Sequence, residues 1–219
     1  MSQTETFQTD HKGIIVFLNG TSSAGKTTLA HALQEEMQAP YQHVALDQFR
    51  DGLPAKYRGL NAPEGTTGAR GLNVVPTEID SGQAVTEVRF GEDGTRVLMG
   101  MRRAIATLAD NGVNVIVDDI ILTQDFLEDY LRVMMPHSLY FIGVRCPLEV
   151  IAAREAMRLG RFPGTAESHF EKCHAHGTYD LEVDTSDTLP AVCARRIRER
   201  IESGPPTAFD ELRDHLIGG

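Results

Sequence analysis

The sequence predicts an α/β fold, in which a parallel sheet of five strands is covered by helices on both faces. Short apolar runs of strand length alternate with longer segments whose apolar residues have helical spacing. The first run, residues 14–18, is continuously apolar, as expected for a strand buried on both sides of a parallel sheet. The length of 219 residues suits one domain, residues 1–219.

Predicted strands and helices alternate through most of the chain. The predicted strands are residues 13–19, 43–47, 113–119, 138–145 and 181–184. The predicted helices are residues 26–39, 101–110, 125–135, 147–159, 166–174 and 189–202, with a shorter one within 205–219.

A stretch rich in glycine and proline interrupts this alternation. Residues 51–84 have few apolar positions and are predicted to form a long irregular segment, which in a compact domain is usually functional. Residues 85–90 and 95–98 flank the sequence Gly-Glu-Asp-Gly, and this pattern predicts a hairpin. We therefore expect an inserted segment at about residues 51–98.

The net charge of −10 limits the partners of the chain. Such a surface repels nucleic-acid phosphates and anionic lipids, so a bound polyanion needs a local group of positive charges. Three widely spaced cysteines predict no disulfide framework, and no apolar run reaches the roughly 18 residues of a membrane span. The polar first ten residues lack a signal-peptide pattern. These features predict a cytoplasmic protein without nucleic-acid or membrane partners.

Residues 20–27 carry the strongest motif. They read GTSSAGKT and fit GxxxxGK[ST] between a predicted buried strand and an amphipathic helix. Glycines let such a loop curl so that backbone N–H groups point at phosphate oxygens, and the helix adds the positive end of its dipole. The alternative is a glycine-serine turn beside a solvated lysine. The motif predicts ATP and Mg²⁺, with Lys26 at the β- and γ-phosphates and the Thr27 hydroxyl on the metal.

Carboxylates end two of the predicted strands. Asp118 and Asp119 end the third strand, a position at which such proteins hold Mg²⁺, and Asp118 is predicted to act on the metal through water. Asp47 ends the second strand and is expected to face the same crevice, because ligands bind outside the carboxyl ends of parallel strands. It could orient and deprotonate a substrate hydroxyl, or it could cap a helix over residues 48–53.

Three arginines supply positive charge near the end of the fourth helix. Arg154 is predicted to bind the nucleotide, and Arg158 and Arg161 to stabilise a transferring phosphoryl group from a lid at about residues 158–165. The alternative is a solvated basic surface. The residues predicted to bind the nucleotide are Gly20, Thr21, Ser22, Ser23, Ala24, Gly25, Lys26, Thr27, Thr28 and Arg154.

The chain resembles the chloramphenicol phosphotransferase family of P-loop kinases from residue 14 to about residue 201. The resemblance includes residues 18–27, Asp47, residues 116–120 and residues 143–146. It continues through Arg154, Arg158, Arg161 and the segment 179–185. It implies a nucleotide-kinase type of fold with strand order 2-3-1-4-5.

The same resemblance implies roles for particular residues. Asp47 would be the general base, the arginine loop a lid, and residues 184–186 would lie near the adenine. The implied reaction is phosphoryl transfer from ATP to a hydroxyl of a small molecule, an antibiotic of chloramphenicol type. Residues 55–83 are longer and richer in glycine than in the family, and they should line the acceptor pocket. Another antibiotic or a hydroxyl-bearing metabolite is therefore an open alternative.

Two other functions remain to be distinguished. One is a metabolic kinase for a nucleoside or a sugar-like acceptor on the same scaffold. The other is a nucleotide-gated binding module or GTPase-type switch, and against it the sequence has neither an Asn-Lys-x-Asp motif nor an Asp-x-x-Gly after the third strand. The oligomeric state is not predicted.

Overall fold

The computed structural model describes residues 11–78, 82, 84–157 and 164–217. The strands are β1 Ile15–Asn19, β2 Tyr41–Ala45, β3 Arg58–Leu60, β4 Leu72–Glu78, β5 Ala84–Phe90, β6 Asn114–Asp119, β7 Leu139–Arg145 and β8 Leu181–Asp184. The α-helices are α1 Lys26–Glu36, α2 Leu46–Asp51, α3 Thr67–Arg70, α4 Glu92–Asp110, α5 Gln124–Val133, α6 Leu148–Ala156, α7 Thr165–Phe170, α8 Pro190–Glu202 and α9 Ala208–Leu216. Short 3₁₀ helices lie at Ala55–Tyr57 and Lys172–His174.

The larger sheet has five strands in the order β2-β6-β1-β7-β8. Every neighbouring pair is parallel, as the alternation of strands and helices predicts. In the numbering of the whole chain the order differs from the predicted 2-3-1-4-5, because strands of a second sheet lie between β2 and β6. Counted among its own strands, the larger sheet has the order 2-3-1-4-5.

Both faces of this sheet are buried, because alternate residues of each strand enter different cores. Ile15 and Phe17 of β1 pack in a core with α4, α5 and α9. Val16 and Leu18 enter the opposite core with α1 and α8. Since the five strands are parallel, their carboxyl ends and the loops that follow them meet at one edge of the sheet. The functional residues of the next subsection lie at that edge.

The prediction that residues 51–84 are irregular is wrong, because β3, β4 and two short helices lie within them, and β3 and β4 form a second sheet with β5 in the order β3-β4-β5. β3 and β4 are parallel, and β4 and β5 are antiparallel, with Leu72 opposite Phe90. Glycine allows this tight packing, since a Cβ on Gly71 would lie 1.9 Å from the carbonyl oxygen of Tyr57. Gly59, Gly68 and Gly71 thus reflect close contacts within a folded segment, although their presence in the sequence suggested an irregular chain.

The predicted hairpin of residues 85–90 with 95–98 is also wrong. Residues 85–90 do form a strand, β5, but its partner is β4, and residues 95–98 belong to α4. Gly91 is the N-cap of α4, and Glu92 and Asp93 place negative charge in its first turn, where the helix dipole favours it. The four-residue turn signal was therefore the start of a helix.

Helix α7 joins the second sheet to the loop after β1. Ser168 Oγ donates a hydrogen bond to the carbonyl oxygen of Thr86 on β5 at 2.7 Å, and the hydroxyls of Thr86 and Thr165 are 2.5 Å apart. On its other side, Thr21 Oγ1 donates to the carbonyl oxygen of Ala166 at 3.0 Å. The position of α7 is thus fixed from two directions.

Among the described residues, none of the helices has both the length and the apolar composition needed to cross a bilayer.

Candidate active site

The loop of residues 20–27 curls around the start of α1, as its sequence predicts. Ser23 and Gly25 have positive φ angles of 62° and 89°, and Gly25 is the N-cap of α1. Gly20 passes so close to β7 that a Cβ there would lie 2.5 Å from the carbonyl oxygen of Val144. No described side chain caps the first turn of α1, so its N–H groups remain available to a bound anion.

Lys26 and Thr27 connect this loop to the end of β6. Lys26 Nζ donates hydrogen bonds to the carbonyl oxygens of Gly20 at 2.8 Å and Thr21 at 3.0 Å, and lies 3.7 Å from Asp118 Oδ1. Thr27 Oγ1 donates to Asp118 Oδ2 at 2.6 Å. The three side chains that sequence analysis assigned to phosphate and metal therefore lie together.

Asp118 is an almost buried carboxylate kept ionised by its neighbours. Burial would raise its pKa, but the charge of Lys26, the hydrogen bond from Thr27 and the nearby His43 imidazole outweigh that effect and lower the pKa below its usual value. His43 Nε2 lies 3.7 Å from Asp118 Oδ2. The result is a negative oxygen donor at the mouth of the loop.

Asp119 faces the opposite core and has a different environment. Its Oδ2 accepts a hydrogen bond from Tyr130 at 2.6 Å, and its Oδ1 accepts one from the N–H of Ile120 at 2.7 Å. Burial raises the pKa of this carboxyl above its usual value despite those bonds. Asp118 is therefore the one of the two that meets Lys26 and Thr27.

Asp47 lies in the first turn of α2 and lines the same cleft as Lys26 and Asp118. β2 ends at Ala45, which is also the N-cap of α2, so Asp47 neither ends the strand nor caps the helix. Its side chain is 44% exposed, and its Oδ1 lies 2.8 Å from Arg50 Nη1. Asp47 is thus a solvent-accessible carboxylate within the cleft.

Arg154 is held beside the loop by backbone contacts. Its Nη2 donates to the carbonyl oxygen of Thr185 at 2.6 Å, and Thr185 Oγ1 donates in turn to the carbonyl oxygen of Ala24 at 2.6 Å. Arg154 therefore lies between the loop and the segment after β8. Arg158 and Arg161, with most of the predicted lid 158–165, lie outside the described residues.

The assembled cleft has a volume of about 600 Å³. The loop, Arg154 and Thr185 line one end of it. The other end is mainly apolar and is formed by the second sheet, α2 and the loop after β6. The apolar side chains that line that end are Leu46, Leu72, Val88, Phe90, Ile120 and Leu122.

Sequence reasoning missed two polar residues of the cleft, Arg50 and His169. Arg50 lies three residues after Asp47, and this helical spacing could have indicated their ion pair. His169 is 4% exposed on α7, and burial lowers its pKa to about 4. No sequence signal identifies it, because its neighbours in the cleft come from distant segments. The described residues contain no convergent group of three His, Cys, Asp or Glu side chains suited to a metal.

The five-stranded parallel sheet and the phosphate-binding type of loop define a P-loop protein with the kinase type of α/β fold. The chain belongs to the chloramphenicol phosphotransferase-like protein family, whose model matches residues 13–202. It is 35% identical over 209 residues to a protein of Mycobacterium tuberculosis, strain H37Rv, that has the provisional name O-phosphotransferase. That alignment covers 94% of this chain and 90% of the relative.

Solved structures of kinases share the fold at low sequence identity. The M. tuberculosis APS kinase CysC, in complex with AMPPNP and APS, matches with a TM-score of 0.60 and 16% identity, over 88% of this chain and 99% of that chain. A sugar kinase from Janibacter sp. matches with a TM-score of 0.56 and 18% identity, over 87% and 95%. A shikimate kinase from Bacteroides thetaiotaomicron matches with a TM-score of 0.54 and 14% identity, over 86% and 98%.

Proposed function

We propose that the protein is an ATP-dependent O-phosphotransferase that phosphorylates a hydroxyl group of a small molecule. The observation that carries the proposal is the convergence of Lys26, Thr27 and Asp118 at the start of α1, in a cleft that Asp47 also lines. The family and the fold of its kinase neighbours support the same reaction. ATP as donor would place the reaction in the cytoplasm.

The loop end of the cleft is the proposed nucleotide site. The N–H groups of the loop and of the first turn of α1 would bind the phosphate oxygens, with Lys26 at the β- and γ-phosphates. The Lys26 ammonium now donates to carbonyl oxygens of its own loop, so it can exchange those bonds for phosphate oxygens by a change of rotamer. Arg154 and residues 184–186 would flank the rest of the nucleotide.

Thr27 and Asp118 are the proposed ligands of Mg²⁺, Asp118 acting through water. The metal prefers oxygen donors, and these two residues present a hydroxyl and an ionised carboxylate 2.6 Å apart. When bound, Mg²⁺ would neutralise charge on the phosphates. Thr27 and Asp118 hold each other in position, and Lys26 offsets the negative charge of Asp118.

Asp47 is the proposed general base for the acceptor hydroxyl. A carboxylate that lines the cleft and remains 44% exposed can accept the proton that the hydroxyl loses as it attacks phosphorus. The ion pair with Arg50 would fix the orientation of Asp47. Arg158 and Arg161 are proposed to act on the transferring phosphoryl group, as their sequence context predicts.

The apolar end of the cleft is the proposed acceptor site. Leu72, Val88 and Phe90 come from the second sheet, which gives the inserted segment a role in binding the acceptor. This lining favours an acceptor with an apolar body, such as an antibiotic of chloramphenicol type, over a sugar-like one, which would leave hydroxyls without partners. No nucleic-acid or membrane partner is proposed.

Two measurements test the proposal in sequence. Calorimetry should show that the protein binds ATP in the presence of Mg²⁺. If the protein bound neither ATP nor GTP, the proposal would be refuted at its first step. Mass spectrometry of antibiotics and hydroxyl-bearing metabolites, incubated with the protein and ATP-Mg, should then show one compound that gains the mass of a phosphoryl group. ATP binding without transfer to any compound would favour the nucleotide-gated binding module instead.

A further inference from the structure

His169 is a buried polar side chain in the cleft that has no ligand role so far. It is 4% exposed, it lines the cleft, and its Nε2 has no hydrogen-bond partner among the described residues. An imidazole nitrogen without a partner in a buried place costs free energy, and such groups usually have a partner in the functional state. The question is which molecule supplies it.

The position of His169 points to the acceptor end of the cleft. Its helix, α7, is fixed to β5 by the bonds of Ser168 and Thr165 to Thr86. β5 also supplies Val88 and Phe90 to the apolar lining. On its other side α7 contacts the phosphate loop, where Thr21 Oγ1 donates to the carbonyl oxygen of Ala166. The imidazole therefore lies between the second sheet and the phosphate loop.

The charge state of His169 limits the kind of group that it can bind. Burial lowers its pKa to about 4, and the positive charges of Lys172 and Lys26 act in the same direction. The ring is therefore neutral near pH 7. In a neutral imidazole one ring nitrogen donates and the other accepts, so Nε2 can make one hydrogen bond in either role, but the ring has no net charge to attract an anion.

We infer that His169 is a specificity-determining residue, whose Nε2 makes a hydrogen bond with an uncharged polar group of the acceptor, such as a hydroxyl, carbonyl or amide. The inference rests on the proposed function, because that function defines the acceptor end. It gives an otherwise apolar pocket a polar contact that selects among acceptors of similar shape. It also gives the inserted segment a second role, since β5 positions α7 and hence the imidazole.

The test uses two small probes of similar shape, 2-phenylethanol and ethylbenzene, on the full chain with ¹⁵N-labelled histidine. The His169 nitrogen signals are assigned by their loss in the His169→Phe variant. We expect 2-phenylethanol to shift the His169 Nε2 signal and ethylbenzene to leave it nearly unchanged. Equal shifts from both probes, or none from either, would overturn the inference.

Variants separate hydrogen bonding from shape. His169→Phe should weaken 2-phenylethanol binding by about fivefold to tenfold, since one hydrogen bond is lost. His169→Gln keeps a polar group near the position of Nε2 and should recover part of that loss. His137→Gln is the matched control, because His137 is also buried with an unpartnered ring nitrogen but precedes β7, at the opposite end of the sheet. Unchanged 2-phenylethanol affinity in a folded His169→Phe protein would also reject the inference.

A last measurement distinguishes the acceptor from the nucleotide. AMPPNP with Mg²⁺ should leave the ¹⁵N signal of His169 Nε2 nearly unchanged. If AMPPNP shifted this signal and 2-phenylethanol did not, His169 would be assigned to the phosphates and the inference would be overturned. The proposed function fails separately, if calorimetry shows no nucleotide binding. The experiment with 2-phenylethanol requires no phosphoryl transfer, so a failure of the inference about His169 can be distinguished from a failure of the proposed function.

Discussion

Asp118 and Asp119 are adjacent in the chain, yet their side chains enter opposite sides of the sheet and their pKa values shift in opposite directions. Asp118 pairs with Lys26 and Thr27, and these contacts overcome the effect of burial and lower its pKa. Asp119 is buried beside Tyr130, and burial raises its pKa. The alternation of a β-strand thus directs the Asp118 carboxylate to Lys26 and Thr27, whereas Asp119, which also lines the cleft, directs its carboxylate to Tyr130.

The two carboxylates should respond differently to the same substitution. In Asp118→Asn, the gain in ATP affinity that Mg²⁺ provides should fall by about tenfold or more, because a neutral amide is a poor ligand for Mg²⁺. In Asp119→Asn, the gain should persist, because the amide can still bond to Tyr130 and Ile120. Calorimetry with ATP in Mg²⁺ and in EDTA measures both. If Asp119→Asn proved the more damaging to the Mg²⁺ effect, the metal assignment would be reversed.

Lys26→Ala should abolish phosphoryl transfer. The variant removes the positive charge proposed to contact the β- and γ-phosphates, and kcat should fall by about 100-fold or more. Lys12→Ala is the control, because Lys12 pairs with Asp110 at the surface and precedes β1, at the opposite end of the sheet from the loop. Turnover of any acceptor found by mass spectrometry is the measurement. Undiminished turnover in Lys26→Ala would refute the phosphate role.

Asp47→Asn should reduce kcat by about 10²- to 10⁴-fold and leave ATP affinity nearly intact, because the amide cannot accept the proton of the hydroxyl. Asp51→Asn is a matched control, since Asp51 also pairs with Arg50 on the same helix but does not line the cleft. Kinetics and nucleotide calorimetry are compared for both variants. A loss confined to ATP binding in Asp47→Asn would exclude the base role.

Local sequence patterns predicted which residues lie together at the proposed nucleotide end of the cleft. Residues 20–27 form a continuous motif whose loop geometry depends on its own glycines, and Asp118 follows an apolar strand, so both could be placed before the structure was known. Asp47 was expected at the end of a strand and instead lies in the first turn of α2. Its side chain reaches the cleft in either case, because strand end and helix start share one edge of the sheet.

The acceptor end could not be predicted in the same way. β3 has only three residues, and the pairing of β3, β4 and β5 with one another and with α7 joins separate segments, which a local pattern does not contain. In the sequence His169 is one of several histidines and cysteines in residues 169–176, whose spacing matches no structural zinc pattern and indicates no role in the cleft. Its importance follows from burial against β5, which is more than 75 residues away in the chain.

Asn19 should be a major contributor to stability beside the loop. It is fully buried, its Nδ2 donates to the carbonyl oxygen of Cys173 at 2.6 Å and to Tyr179 at 2.7 Å, and its Oδ1 accepts from Ile121 N–H at 2.9 Å. Asn19→Ala leaves these partners unpaired and should lower the free energy of unfolding by about 2–3 kcal/mol. Urea denaturation measures the change.

The control for Asn19 is Asn111→Ala. Asn111 is exposed and its side chain makes one hydrogen bond, to Thr107 at 2.8 Å. We expect its removal to change the free energy of unfolding by no more than about 0.5 kcal/mol. If the two variants changed the free energy of unfolding by similar amounts, the buried hydrogen bonds of Asn19 would contribute little to stability.

The buried histidines should make the protein less stable in mild acid. Burial lowers the pKa of His169, His174 and His176 from 6.5 to about 4 in each case. Between these values the unfolded chain binds protons that the folded protein does not, so the free energy of unfolding falls as pH decreases from about 6.5 to about 4. Urea denaturation at several pH values in that window measures how steeply the free energy of unfolding changes with pH. This slope gives the difference in bound protons between the unfolded and folded states, to which these three groups should contribute nearly three.

The His169→Phe variant isolates one of these protons. Asp119 acts in the opposite direction, because its raised pKa favours the folded state at low pH, but that effect is the same in both proteins. The pH slope of the variant should therefore be smaller than that of the unmodified protein by up to one proton between pH 6.5 and 4. Equal slopes would mean that His169 is protonated as readily in the folded protein as in the unfolded chain, which would contradict its burial as a neutral imidazole in the cleft.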